Sequence, residues 1–227
     1  MHARLAEVLY RLKGREKKFT QIYEKKGWGG SESVSGPGSS LENTCTIRRE
    51  IPRLIQEINA HSLLDAPCGD FHWMKELQLD IDRYIGVDIV PELITINREK
   101  YGTDKREFLL LDIVKDPLPA SDLILCRDCF VHFSFHDIFR AARNMCRSNS
   151  RYLLATTFTS LRKNRDIPTG GWRPVNLQIP PFNFPEPISQ INENCTEING
   201  SCSDKALGLW DLDTVSHALR IHKKNST

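Results

Sequence analysis

The sequence predicts an α/β fold, a doubly wound and mostly parallel sheet of about seven strands with helices on both faces. Three observations carry that expectation. Short apolar runs alternate with helix-like stretches through the middle of the chain, and several of those runs end in an aspartate. The 227 residues, 40% hydrophobic and 26% charged, also suit one well-filled core better than two full domains.

Apolar runs at Ser62–Ala66, Tyr84–Val87, Phe108–Leu111, Leu123–Leu125 and Tyr152–Thr157 have the length of buried strands. Between them Trp73–Leu77, Pro91–Tyr101 and Phe135–Cys146 have helical character. Ala206–Leu212 supplies a further strand, expected to run antiparallel at a mixed edge. Ahead of the sheet, Leu5 to Leu12 forms a basic amphipathic pattern. Leu41–Asn59 places Ile47, Ile51, Leu54, Ile55 and Ile58 at helical spacing, with Pro52 either kinking that helix or starting a second one. Trp28–Ser40 is rich in glycine and serine yet carries a tryptophan, which a plain linker does not need. The organisation expected is an N-terminal helical segment with a Gly/Ser-rich lid over residues 1–60, then the main domain over 61–220 with a long loop at 160–200.

A formal net charge of +2 does not favour a nucleic-acid partner. Seven cysteines at irregular spacing do not form a disulfide framework, and the lone pair Cys126 and Cys129 lacks the second pair that a zinc site needs. No metal is expected. No run reaches the roughly 18 apolar residues of a membrane span, and Met1–Arg4 lacks a signal peptide's apolar core, so a cytoplasmic address is expected. The glycosylation triplets at Asn194, Asn199 and Asn225 then read as chance. The basic N-terminal helix leaves room for a weak peripheral contact with an anionic membrane, although packing by one face is the commoner use.

In a doubly wound sheet a ligand sits at the carboxyl ends of the strands, where the topology reverses. Four segments meet that condition in order: Leu63-Leu64-Asp65-Ala66-Pro67-Cys68-Gly69-Asp70, Tyr84-Ile85-Gly86-Val87-Asp88, Phe108-Leu109-Leu110-Leu111-Asp112-Ile113 and Leu123-Ile124-Leu125-Cys126-Arg127-Asp128. On these residues the chain resembles the class I S-adenosylmethionine-dependent methyltransferases, over about Leu63 to Thr157. More loosely, Trp28-Gly29-Gly30 with Ser35–Ser40, Asp65–Asp70 and Pro181–Pro185 resemble a bacterial subfamily of uncharacterised methyltransferases. The resemblance implies a Rossmann-like enzyme that takes its methyl group from S-adenosylmethionine and releases S-adenosylhomocysteine. It also implies that Asp65, Ala66, Pro67, Cys68 and Gly69 form the cofactor turn. Asp88, 23 positions after Asp65, would hold the ribose hydroxyls beside Ile89. Asp112 and Ile113 would approach the adenine, and Arg127 would stand at the edge of the reaction centre.

One departure from the family pattern stands out. The turn carries a single glycine, Gly69, behind Ala66 and Pro67, which makes it more rigid than a multi-glycine turn. The missing Gly-x-Gly-x-x-Gly also weighs against a nicotinamide-dependent oxidoreductase, because that motif seats a pyrophosphate. That oxidoreductase and a non-catalytic cofactor-binding module are the alternative readings.

Methyl transfer from a sulfonium mainly requires alignment, and a hydroxyl acceptor adds the need for a base. Asp128 and His132 are the nearest candidates, with His136 next. Asp128 is equally suited to holding the cofactor's amine, and His132 to packing at a helix start. Trp28 and its glycine-rich neighbours suit a lid over the cofactor. Trp172, Arg173 and Asn176 lie where an acceptor site is expected, Arg173 suiting a carboxylate, a phosphate or an ordinary surface salt bridge. The acceptor expected is a small or medium polar molecule, such as a sugar-containing metabolite, entering between Trp28–Ser40 and Trp172–Asn176. The alternative is that both tryptophans pack into the domain. The sequence leaves the oligomeric state open.

Overall fold

The computed structural model describes residues 14–195 and 202–225, so the amphipathic pattern at Leu5–Leu12 lies outside the described residues. The elements in chain order are α1 (Arg15–Glu24), α2 (Cys45–Glu57), β1 (Ser62–Asp65), β2 (Arg83–Asp88), α3 (Pro91–Tyr101), β3 (Arg106–Leu110), β4 (Leu123–Cys126), α4 (Phe135–Arg147), β5 (Tyr152–Phe158), β6 (Ser189–Asn192), β7 (Lys205–Asp211) and α5 (Leu212–Asn225).

One seven-stranded sheet runs in the order β3-β2-β1-β4-β5-β7-β6. Strands β1 to β5 pair parallel, while β7 pairs antiparallel with both β5 and β6. The expected strand at Ala206–Leu212 is therefore present as β7, and β1 lies inside the sheet. The order reverses between β1 and β4, which opens a crevice at the carboxyl ends of β1, β2 and β4.

Alternation along the strands sends successive side chains to opposite faces. Leu63, Tyr84, Phe108, Leu123, Leu125 and Leu154 pack with Ile47, Ile51, Leu54 and Ile55 of α2 and with Ile94 of α3. Leu64, Ile85, Ile124 and Leu153 face the other way, toward Ile138, Ala142 and Met145 of α4 and Leu212, Val215 and Leu219 of α5. Pro52 sits inside α2 without dividing it into two helices. A proline there costs about 3 kcal/mol. Burying four large aliphatic side chains contributes at least about 6 kcal/mol, so packing decides the outcome.

Three elements differ from the sequence expectation. Trp73–Leu77 forms only a short 3-10 turn over Met74–Glu76. Strand β6 is polar and mostly exposed, with Ile191 its single apolar residue, and so lacks the pattern of a buried strand. Helix α5 begins where Ala206–Leu212 was expected to remain a strand. Asp211 Oδ1 accepts the backbone N–H groups of Asp213 and Thr214, both at 3.0 Å, and this capping starts a helix immediately after β7.

The long segment after β5 is closely packed despite its Pro, Gly and Asn content. Val175, Leu177, Phe182 and Phe184 are buried in the core on the α4 side. Asn164 Nδ2 donates to the carbonyls of Asn176 at 2.8 Å and Pro180 at 2.9 Å, and Asn176 N–H donates back to Asn164 Oδ1 at 3.0 Å. Arg173 is only 2% exposed. Its guanidinium donates to the carbonyls of Phe130 and Phe133, each at 2.6 Å, and of Arg165 at 3.0 Å. Arg173 therefore fastens this segment to the turn after β4, all three of its nitrogens donating to backbone carbonyls, where a carboxylate or phosphate was expected. Asn176 is likewise committed to internal hydrogen bonds.

Hydrogen bonds from a charged donor are worth about 1.5–3 kcal/mol each. Arg173→Met is expected to lower unfolding stability by about 3 kcal/mol or more and to expose residues 160–188 to limited proteolysis. Thermal unfolding with peptide mapping checks both effects.

Candidate active site

At the carboxyl ends of β1, β2 and β4 lies a cavity that opens to solvent. Its floor is the turn after β1, with Asp65, Pro67, Cys68 and Gly69, together with Asp88, Ile89, Asp112, Ile113, Arg127 and Asp128. His132 and Trp28 also line it. Of the residues singled out in the sequence, Ala66 stays outside: it is fully buried in the core, its N–H donating to the Leu125 carbonyl at 2.8 Å.

The turn after β1 is held by its neighbours. Gly69 has φ +54, a conformation that favours glycine, and a Cβ there would stand 2.3 Å from Ser35 Oγ. The single glycine therefore admits the Trp28–Ser40 segment against the turn. Asp70 fixes the same segment, accepting Ser33 Oγ at 2.9 Å and Val34 N–H at 2.9 Å. Asp88 accepts Gly69 N–H at 3.1 Å through Oδ2 and Val90 N–H at 2.9 Å through Oδ1, which aims its carboxylate across the crevice. Burial raises the Asp88 carboxyl to about 6 against these hydrogen bonds. Burial also raises Asp65 to about 7, opposed by Tyr84, whose hydroxyl donates to Asp65 Oδ2 at 2.6 Å. Two carboxyls raised by burial inside one cavity suit a ligand that brings hydroxyl donors and positive charge. The donor set therefore fits S-adenosylmethionine, whose ribose and amino-acid ends carry those groups.

Two expected roles meet other commitments. The Asp112 carboxylate binds Arg15, with Oδ2 2.8 Å from Nη2, and also accepts Val114 N–H at 3.0 Å. Arg127 lines the cavity, but its guanidinium donates to Glu193 at 2.6 Å and to the Gly38 carbonyl at 2.8 Å, and its centre lies 5.5 Å from the Trp73 ring. Asp128 adopts φ +50 and accepts Lys205 Nζ at 2.7 Å. Burial would raise its carboxyl, but Lys205 and Arg127 outweigh burial and hold it at about 2. So weak a base is poorly matched to proton abstraction at neutral pH, which corrects the expectation of Asp128 as a base.

His132 is better placed for that task. Its Nδ1 lies 2.8 Å from the Gly171 carbonyl, an acceptor only, so Nδ1 carries the proton and Nε2 keeps its lone pair. Trp28 lies against the ring, with centroids 4.0 Å apart and planes tilted by 38°. Burial pushes the imidazole below its usual value, which favours the neutral form. His136, by contrast, is exposed on α4 and does not line the cavity.

Sequence reasoning missed the roof. Arg15, Phe19 and Tyr23 recur every four residues on one face of α1, and all three line the cavity. That spacing was the available signal. Arg15 also reaches Asp137 at 3.0 Å, fastening α1 to α4. Lys205 and Glu193 had no local signal, because their positions depend on β6 and β7. Trp172 does not line the cavity; it is 45% exposed and meets the Phe158 ring edge-on at 6.4 Å. The expected entrance between the two tryptophan segments thus retains only its Trp28–Ser40 side.

Comparison with known proteins agrees with this geometry. Residues 64–154 match the family described as a methyltransferase domain. The N-methyltransferase NodS of Bradyrhizobium japonicum, in complex with S-adenosyl-L-homocysteine, superposes with a TM-score of 0.59 at 12% identity, over 86% of this chain and 98% of that one. A Leishmania major S-adenosylmethionine-dependent methyltransferase gives 0.51 at 15% identity, over 63% and 61%. The chain spans 66% of the bacterial CtHen1 methyltransferase domain, at a TM-score of 0.45 and 11% identity over 52% of its own length. No curated protein sequence matches it. Residues 64–154 thus match a methyltransferase domain, and the chain shares the fold of NodS and of the Leishmania major enzyme.

Proposed function

We propose that the protein transfers the methyl group of S-adenosylmethionine to a small polar acceptor, and that His132 takes the acceptor's proton. The observation that carries this reading is the place of His132 on the cavity wall, with Nδ1 2.8 Å from the Gly171 carbonyl, a contact that leaves Nε2 as the basic atom of the ring. The cofactor, when bound, supplies an already activated methyl group. The chain's own residues bind and orient. Asp88 would accept the ribose hydroxyls, and Asp65 with the Cys68–Gly69 turn would face the amino-acid end. Ile89 and Ile113 would flank the adenine, with Phe19 of the roof above. Asp112 would act on the adenine side chiefly by fixing that roof through Arg15.

The Trp28–Ser40 segment serves as a cover that excludes water, fastened at Asp70 and at Arg127. Asp65, Asp70, Asp88, Asp112 and Asp128 give the cavity an acidic lining. The carboxyls without a cationic partner, Asp65, Asp70 and Asp88, favour a small or medium polar acceptor bearing a hydroxyl or amine, a sugar-containing metabolite among them, over a nucleic acid. Among the described residues no helix is long and apolar enough to cross a membrane.

Three outcomes test the reading. His132→Gln should lower kcat by about 100-fold or more while leaving S-adenosylhomocysteine affinity unchanged, measured with labelled cofactor and fractionated metabolite pools. Asp88→Asn should weaken S-adenosylhomocysteine binding by about tenfold or more in calorimetry. Wild-type affinity should itself decline as pH falls through about 6, where the Asp88 carboxyl gains its proton.

Asp65 predicts an opposite effect on stability. A carboxyl raised on folding stabilises the fold at low pH, and that contribution is lost as pH rises through the folded value, here about 7. The rise from 3.8 to about 7 corresponds to at most about 4 kcal/mol. Asp65→Asn, which can still accept from Tyr84, should therefore melt higher than wild type at pH 8 and lose that advantage toward pH 4. Its S-adenosylhomocysteine affinity should fall.

A further inference from the structure

Resting on the reading of His132 as the base, we propose that Thr169 is a positioning residue: its hydroxyl pins residues 166–173 to the start of α4, so that the Gly171 carbonyl holds His132 Nδ1–H and Nε2 stays unprotonated. The contacts form one continuous chain. Thr169 Oγ1 donates to Asp137 Oδ2 at 2.7 Å and accepts Ser134 N–H at 3.0 Å. The next residue, Gly170, donates its N–H to the His132 backbone carbonyl at 2.8 Å. The Gly171 carbonyl then lies 2.8 Å from His132 Nδ1. Consecutive residues of one strap therefore clasp His132 at its main chain and at its ring.

Helix α4 supplies the anchorage, because the first N–H groups of a helix have no partner within it. The strap answers two of them. Asp166 Oδ1 accepts Phe135 N–H at 2.7 Å, and Thr169 Oγ1 accepts from Ser134, the N-cap. Ser134 Oγ in turn accepts Asp137 N–H at 3.2 Å, so the cap and the carboxylate that meet Thr169 are set by one turn. Asp137 is buried, and its other oxygen accepts Arg15 Nη1 at 3.0 Å. A hydroxyl has a single proton, and giving it to this charged acceptor leaves the lone pairs of Thr169 Oγ1 for Ser134.

Gly171 lies between two anchors. Downstream, Arg173 N–H donates to the Val131 carbonyl at 3.1 Å and its buried guanidinium serves the fold. Upstream, Thr169 is half-buried and holds the strap by its hydroxyl alone, so its loss acts on the strap and little on the core. Between them Gly170 adopts φ +97, a conformation that favours glycine, where the strap turns along His132. A neutral imidazole without a partner at Nδ1 can carry its proton on either nitrogen. Releasing the strap therefore places the proton on Nε2 in part of the molecules and removes the basic atom there. A hydroxyl that merely stabilised the fold would change the melting temperature and leave both ring nitrogens as they were.

The test reads the two ring nitrogens of His132 by NMR of the isotopically labelled full-length chain at pH 8, the signals being those absent in His132→Gln. The wild-type ring should show a protonated Nδ1 and an unprotonated Nε2. Thr169→Val, close in shape but without the hydroxyl, should shift Nε2 toward the protonated form. It should also lower kcat by about tenfold or more with S-adenosylhomocysteine affinity unchanged, and Thr169→Ser should restore both readings. Thr169→Ala gives the same measurement where Thr169→Val does not fold. A wild-type ring protonated at Nε2, a folded hydroxyl-free variant with wild-type nitrogen signals, or Thr169→Ser behaving like Thr169→Val overturns the proposal. Shifted nitrogen signals with unchanged kcat would remove the base reading while leaving the anchor in place, so the two failures are distinguishable.

Discussion

The guanidinium of Arg127 ties the site together. It leaves the end of β4 and joins three parts of the chain that are distant in sequence: the Gly38 carbonyl of the N-terminal cover, Glu193 beyond β6, and Asp128 at the cavity wall. A planar donor with fixed directions suits this work better than an ammonium, since several acceptors must be held at defined angles. Because the group is 4% exposed, each acceptor it loses would leave buried charge uncompensated. The cover, the strand ends and the antiparallel hairpin are therefore interdependent, and the cavity is shaped by all three.

Arg15 does the same at the end of β3 through two aspartates from different elements, Asp112 after β3 and Asp137 in α4. Asp137 also accepts Thr169 Oγ1 at 2.7 Å, which brings the long segment after β5 into the same network. Polar side chains at the strand ends thus divide into two groups. Asp65 and Asp88 remain turned to the cavity with carboxyls raised by burial, whereas Asp112, Arg127 and Asp128 are bound by internal partners. The first group bears the energetic cost that a ligand can offset. The second supplies rigidity.

Much of the architecture was legible in the sequence because it depends on local patterns. The runs around Leu63, Tyr84, Leu123 and Tyr152 became strands β1, β2, β4 and β5, and Pro91–Tyr101 became α3 with the bounds its composition suggested. The strand-end aspartates are gathered at one cavity for the topological reason that identified them. What escaped reading depends on distant partners. Arg173 and Asn176 are ligand-like in type, yet the β4 turn and Asn164 take their hydrogen bonds. Ser35 gives Gly69 its purpose from far upstream. Lys205 has no local mark, because its value depends on the side chain it meets across the sheet.

The direction of β7 carries a consequence for the reach of the domain. A parallel strand brings its last residue to the catalytic edge, whereas a strand running the other way brings its first. Reversal of β7 therefore delivers Lys205 to the site from beyond residue 202 without any extra loop. Residues 64–154, the stretch that matches the methyltransferase family, consequently form an unfinished unit. One face of their sheet is covered by α2 from upstream and the other partly by α5 from downstream, and the cation beside Asp128 comes from the hairpin between. Grafting that stretch into another scaffold would transfer the floor of the cavity without Arg15, Phe19, Tyr23 and Trp28, which wall it from upstream, and without Lys205.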